Sequence, residues 1–366
     1  MSLLFSTTRQ RVQIQDVRQY SILANGIDNL YPQLVEQAVN GSGQAFGCVS
    51  TLAEYIEGKG FKDTTFYKAV VNNDGDTMDF ILKQIAKDMA YYGTRCYLLK
   101  YNVFGEVNQV YHIHAEYVRK GIKEHQGQYA VYDDWAKERS KQIKKDDIRW
   151  YDAYDPDKVL EQMEKAGGVT KYKGQILYIS AEGKDAYGLA PIDPEIESAI
   201  SDAQIKTSHF WNLATGFMNN SIIVASKIME QDEADEMTQA LTEFQGAENT
   251  SKTMFMPGTD PESIKVIPLD SASQNNKFTE TEASVRERIR KVFKTPPILL
   301  GDDTASGFAD QGNFLLQCKT YYNEITDVHR RAVEEDMTTI FSNYAYDINP
   351  TNDYTIIPMV SNGGTN

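Results

Sequence analysis

The stretch Val285-Arg286-Glu287-Arg288-Ile289-Arg290-Lys291-Val292-Phe293-Lys294-Thr295-Pro296-Pro297-Ile298-Leu299-Leu300-Gly301 orders the rest of the chain around it. Together with Phe278, its apolar residues Val285, Ile289, Val292 and Phe293 recur at helical spacing, which predicts an amphipathic helix over 277–294. Proline lacks an amide hydrogen and disfavours helical backbone in the residue before it, so Thr295-Pro296-Pro297 halts that helix. A loop rich in Gly, Asp and Ser follows over 301–312. A longer helical pattern then runs over 313–344, through Phe314, Cys318, Tyr321, Ile325, Val328, Ala332, Val333, Met337, Ile340 and Phe341. The chain closes with Tyr354-Thr355-Ile356-Ile357, read as a strand, and a Ser-Asn-Gly-Gly-Thr-Asn tail read as disordered.

Working towards the N-terminus, 216–270 reads as a compact α/β insertion: a strand at 221–226, an acidic helix at 231–244 and strands at 252–256 and 263–268. Before it, Asp193-Pro194-Glu195 places a carboxylate, a first-turn proline and a further acid where a helix begins. That helix spans 194–215 with Ile196, Ile200, Ala203, Phe210 and Leu213 on one side, and Gly216 ends it. Helices are also predicted over 44–57, stopped by Gly58-Lys59-Gly60, and over 78–92, capped by Thr77 and ended by Gly93. The period then changes to two, and 95–101 and 107–113 around Phe104-Gly105 read as a hairpin. Further strands are expected near 128–132, 148–154 and 175–180. The Lys/Glu-rich stretch 135–173 reads as solvated, and 1–43 as an arm with short elements. The fold class is α+β.

Composition limits the choices. With 366 residues, 41% hydrophobic and 24% charged, the chain is globular and large enough for a sizeable core. No run approaches the roughly 18 apolar residues of a membrane helix, and the start lacks the pattern of a signal peptide. Cys48, Cys96 and Cys318 are odd in number and widely spaced, as reduced thiols in a cytosolic setting would be. The net charge of −15 is opposite to that of proteins that grip nucleic acid. The chain either has no dealings with nucleic acid or lets it pass without holding it.

The element order, long helix, compact insertion, helix ending in a double proline, small-residue loop and long helix, resembles the portal proteins of tailed bacteriophages, the long-tailed type especially. Ile176-Leu177-Tyr178-Ile179 followed by Tyr187-Gly188-Leu189-Ala190-Pro191 looks like that family's strand and turn leading into its first stem helix. The segment 285–301 is similar to its "I-x-x-x-F-x-x-P-P-x-L-L-G" pattern, and Phe314 to Phe341 looks like the helix that follows. The resemblance implies an N-terminal arm at 1–43, a wing at 44–190, a stem helix at 191–215, a clip at 216–272, a second stem helix at 273–296, a tunnel loop at 297–312, a tunnel helix at 313–345 and a last wing strand with the tail at 346–366. The resemblance further leads to the expectation that the helical crown of many members is absent or minimal here, since the chain stops soon after Val360. It also implies a non-enzymatic ring of about twelve subunits at one capsid vertex of the virion, assembled in the host cytoplasm. Double-stranded DNA would pass through it. Its other partners would be the terminase large subunit, a head–tail adaptor and the major capsid protein, with no cofactor and no membrane. A different capsid or connector component is the alternative within structural proteins.

On that reading, Gly301, Asp302, Asp303, Thr304, Ala305, Ser306, Gly307, Phe308 and Asp310 form the loop at the narrowest point, where acids repel phosphate and leave a moving duplex no deep trap. The basic cluster Arg286, Arg288, Arg290, Lys291 and Lys294 either pairs with acids of a neighbouring copy or touches the DNA backbone; a solvated helix face is the plainer reading. Glu230, Asp232, Glu233, Asp235 and Glu236 form a docking surface for a basic partner, or simply an acidic helix start. Gly301-Asp302-Asp303 is similar to the metal-binding turn of polymerases and raises a metal-dependent transferase, but that chemistry needs further carboxylates and flanking strands, and a double proline precedes this turn. His112 and His114 would share one face of a strand, a metal pair with no third ligand evident, so a structural role is expected. His209 and His329 are assigned no chemistry.

Overall fold

The helix Gly43–Glu57 begins at Ser42, whose hydroxyl oxygen accepts the Ala45 amide at 3.1 Å, satisfying one of the donors a helix start leaves free. Around it the computed structural model describes residues 16–17, 19–26, 28–138, 143–180, 186–214, 221–225, 264–268, 272–302 and 311–360. Numbered in chain order, the strands are β1 (Asp16–Val17), β2 (Ile22–Leu23), β3 (Thr94–Tyr101), β4 (Val107–His112), β5 (Val118–Lys120), β6 (Gln128–Val131), β7 (Arg149–Ala153), β8 (Gln175–Ser180), β9 (Ser221–Ala225) and β10 (Ile264–Pro268). The helices are α1 (Tyr31–Gly41), α2 (Gly43–Glu57), α3 (Thr64–Lys68), α4 (Met78–Tyr92), α5 (Val159–Ala166), α6 (Ile196–Ala214), α7 (Ala272–Phe293) and α8 (Gln311–Phe341). The result is a mixed α+β fold with long helices.

The principal sheet has the order β4-β3-β8-β7-β6-β5, antiparallel except where β7 meets β8. β3 is central to its packing. Tyr97, Leu99 and Tyr101 join the large core shared with α2, α4, α7 and α8, while Cys96 and Leu98 join a second core with Val118, Val131 and Ile176. Alternate residues of a strand point to opposite faces, so burial on both explains its near-continuous apolar run. A third core holds Tyr20, Ile22, Ala130, Trp135, Ile143 and Ile148. Among the described residues no helix is long and apolar enough to cross a membrane.

The turn at Tyr187–Pro191 locks the sheet to the helices. The Tyr187 hydroxyl accepts the Lys120 amide at 2.7 Å and donates to the Leu23 carbonyl. The Tyr31 hydroxyl accepts the Ala190 amide at 3.0 Å and donates to Asp193 at 2.9 Å. Gly93, which ends α4, sits at φ 64° beneath this turn, and a Cβ there would lie 2.6 Å from the Leu189 carbonyl oxygen. Glycine alone meets both demands.

Most expected elements are present, and the differences have physical causes. The segment 31–41, read within an arm, is a regular helix whose Tyr31, Val35, Ala38 and Val39 enter the large core. Its Pro32 lies in the first turn, where a missing amide hydrogen costs nothing. The stretch 135–173 is not uniformly solvated: Trp135 is buried, with its ring N–H donated to the Tyr117 carbonyl at 2.9 Å. Tyr354–Ile357 is not a named strand. It makes one bridge, Phe61 to Ile356, with flanking bonds from Lys59 to the Ile357 carbonyl and from Lys62 to the Thr355 carbonyl. Of the 216–270 insertion, β9 and β10 pair antiparallel with Ser221 opposite Pro268. The helix expected at 231–244, the strand expected at 252–256 and the C-terminal tail lie outside the described residues.

Candidate functional site

The corner between α7 and α8 is built by the residues that ended the helix in sequence. Val285, Ile289 and Phe293, four apart, are buried and set the register of α7. Lys294 then takes φ 53°, the Thr295 amide returns to the Arg290 carbonyl at 3.1 Å, and Pro297–Leu300 forms one 3-10 turn. Gly301 follows at φ 81°, with its amide on the Ile298 carbonyl at 3.3 Å. Buried Thr295 donates its hydroxyl to that of Tyr322 on α8 at 3.1 Å, tying the two helices together. The Cys48 thiol of α2 lies against Thr295, and burial pushes its pKa up to about 11, so it is a packed group and not a nucleophile.

Arg290 reaches across this corner to the Asp302 carboxylate. Of the expected loop residues, Gly301 and Asp302 are therefore anchored to α7, while Asp303, Thr304, Ala305, Ser306, Gly307, Phe308 and Asp310 lie outside the described residues. So do Glu230, Asp232, Glu233, Asp235 and Glu236. A 3-10 turn precedes Asp302 and its carboxylate is paired with arginine, the reverse of an open, strand-flanked metal turn.

The basic cluster divides. Arg286 pairs with Glu282 at 2.5 Å and approaches Asp202 at 4.0 Å; Lys291 pairs with Glu287 at 2.6 Å. Arg288 and Lys294 are exposed. Asp202, missed in the sequence reading, is buried on α6, where it accepts the Ser42 hydroxyl at 2.7 Å and pairs with Lys206 at 3.3 Å. It thus joins the start of α2, α6 and α7. The signal was available: Asp202 shares the three-residue spacing of buried Ile196, Ala199 and Ile205. His329 is described on α8, where burial lowers its pKa.

α8 presents two unlike faces. Tyr322, Thr326, Arg330, Val333, Met337 and Ile340 are buried. On another side Phe314, Tyr321 and Val328 recur every seven residues and are 47%, 53% and 71% exposed. Cys318, Ile325 and Ala332, half-buried, complete a four-three alternation, the pattern of a helix seam. Elsewhere, a groove of about 600 Å³ between α1 and α6 is lined by Leu34, Ala38, Gly41, Ile200, Ala203 and Thr207.

His112 and His114 do share a third polar partner, which the sequence reading lacked. Asp88 on α4 meets His112 Nε2 at 2.9 Å and His114 Nδ1 at 3.2 Å. It occupies the buried register of Ile81, Ile85 and Tyr92, and an acid at such a position was the clue.

No family model matches the chain, and no curated protein matches it. Solved structures do. The chain aligns over 86% of its length, with 80% of the other covered, to a chain of the virion of a native gene transfer agent particle, at 13% identity and a TM-score of 0.52. It aligns equally widely with a chain in the neck of that native particle computed with C12 symmetry, at 13% identity and TM-score 0.51, covering 81% of that chain. A HK97 family phage portal protein from Corynebacterium diphtheriae aligns at 11% identity and a TM-score of 0.40, with 85% of this chain and 89% of that one covered. The chain shares its fold with a component of a gene transfer agent particle.

Proposed function

We propose that this chain is the subunit of a portal-type ring through which double-stranded DNA enters and leaves a capsid. One observation carries the reading: the fold agrees over 86% of the chain with a component of a particle neck treated with twelvefold symmetry. A head-to-tail contact that closes after a fixed number of copies gives a ring with a bore. Such a contact needs two different faces per copy. The apolar stripe Phe314-Tyr321-Val328 on α8 and the groove between α1 and α6 are the pair we assign to it, since exposed apolar area of this kind marks an association surface.

In this arrangement α6 and α7 are the stem, the segment containing β9 and β10 is the clip that meets the terminase large subunit and then the head–tail adaptor, and 301–312 is the tunnel loop. The surplus of negative charge, −15 per copy, suits a bore that conducts a polyanion without binding it. Arg286, Arg290 and Lys291 of α7 are answered within the chain by Glu282, Asp202, Asp302 and Glu287, which lowers the positive charge that stretch offers a passing duplex. The role is that of a conduit and docking hub, not an enzyme.

Replacing Thr304–Gly307 with bulky residues should leave rings intact by electron microscopy and reduce the DNA content of filled capsids several-fold. Normal filling by such particles would remove this loop from the constriction.

A further inference from the structure

We propose that Asp88, His112 and His114 bind a divalent transition metal ion, zinc by the nature of the donors, at the junction of α4 and β4. Two imidazole nitrogens and one carboxylate oxygen are the ligand set that zinc takes when one position is left to water. The three donor atoms lie within 4.8 Å of one another. A tetrahedral ion with bonds of about 2.0–2.1 Å holds its donors roughly 3.3 Å apart. Asp88 Oδ2 stands 2.9 Å from His112 Nε2 and Asp88 Oδ1 stands 3.2 Å from His114 Nδ1, so each ring already faces its own oxygen of the carboxylate. An ion seated between the rings takes one or both of these oxygens, with the side chains drawing together around it.

The ligands are held from outside. Asp88 sits on the buried face of a helix, and its Oδ2 accepts the Ala115 amide at 3.0 Å, an outer contact of the kind that orients a metal-binding carboxylate. The His112 side chain is 5% exposed and that of His114 45%. One ligand is thus fixed in the interior, and the other borders solvent, giving an ion both an entry path and an open position.

The charged groups that act on His114 are Asp88, Glu116 and Glu36, all of them acids, so the field around the two imidazoles is negative and suits a dication. Bound there, the ion ties α4 to the end of β4 and keeps a water-bearing position beside His114.

The test uses the full-length chain stripped with a chelator and then titrated with zinc chloride by calorimetry and with cobalt chloride by visible absorption. The expected result is one ion per chain and the intense d–d bands of tetrahedral cobalt. His114→Ala, which removes a ring bordering solvent, should weaken binding at least about 100-fold, the upper range for losing even an outer partner. His209→Ala, an exposed histidine of α6, should leave it unchanged. Failure of the stripped wild-type chain to take up either ion saturably, or equal binding by His114→Ala, would overturn the assignment and leave a hydrogen-bonded cluster only.

Discussion

Arg95→Ala should lower the stability of the fold by about 3–5 kcal/mol at neutral pH, the usual result of stranding one partner of a buried ion pair. Arg95 on β3 and Asp336 on α8 are both buried; Nε meets Oδ2, and Nη2 lies 3.2 Å from Oδ1. The Tyr97 hydroxyl donates to the same carboxylate at 3.0 Å. Burial nevertheless holds the Asp336 carboxyl above its ordinary pKa, against the opposing pull of Arg95 and Tyr97. An acid whose pKa is raised on folding opposes the fold from its unfolded pKa upward, with the full cost reached above the folded value. Arg95 limits that cost. Without it the carboxyl takes up a proton, so the deficit of Arg95→Ala should shrink as pH falls towards the carboxylate range. Urea denaturation at neutral and mildly acid pH measures both effects. Pairing Arg95→Met with Asp336→Leu should recover much of the loss, because the desolvation of both charges is then avoided. A deficit within about 0.5 kcal/mol for Arg95→Ala, the level of an ordinary surface change, would show that the pair does not hold α8 to the sheet.

The second large effect is on assembly. Tyr321→Asp combined with Val328→Asp should convert rings to monomers at micromolar concentration. Each side chain is more than half exposed in the isolated chain, and burying that exposed part against a neighbouring copy contributes about 1–2 kcal/mol, a share of the value for a whole apolar side chain. Losing both therefore weakens every contact by at least about 30-fold, and a closed ring repeats that loss at each contact. The folded monomer should be unaffected within about 0.5 kcal/mol, since neither residue packs in the core. Sedimentation separates assembly from folding here. Rings formed as readily as by the wild type would detach the α8 stripe from the subunit contact.

Local features of the sequence foretold local structure well. The double proline at 296–297 ended α7 within one residue of the expected place, Gly93 ended α4, and the period-two runs gave β3 and β4. Where the reading fell short, the cause was distance along the chain. The stretch 31–41 read as part of an arm, yet α1 forms because it covers the core that α2, α4 and α6 also line. Trp135 lies amid charged residues but fills a core with Tyr20 and Ile22, more than a hundred positions away. The polar contacts were hidden for the same reason: Asp336 meets Arg95 across 241 positions, and Asp202 meets Ser42 across 160. An acid at a buried helical register marked Asp88 and Asp202, but only the fold supplied their partners.

Native mass spectrometry of the purified full-length chain bears most directly on the ring. At high protein concentration the account predicts closed oligomers of about a dozen copies, with neighbouring counts admissible, and no open series of dimers and trimers. Monomers and dimers alone, under every solution condition tried, would contradict it.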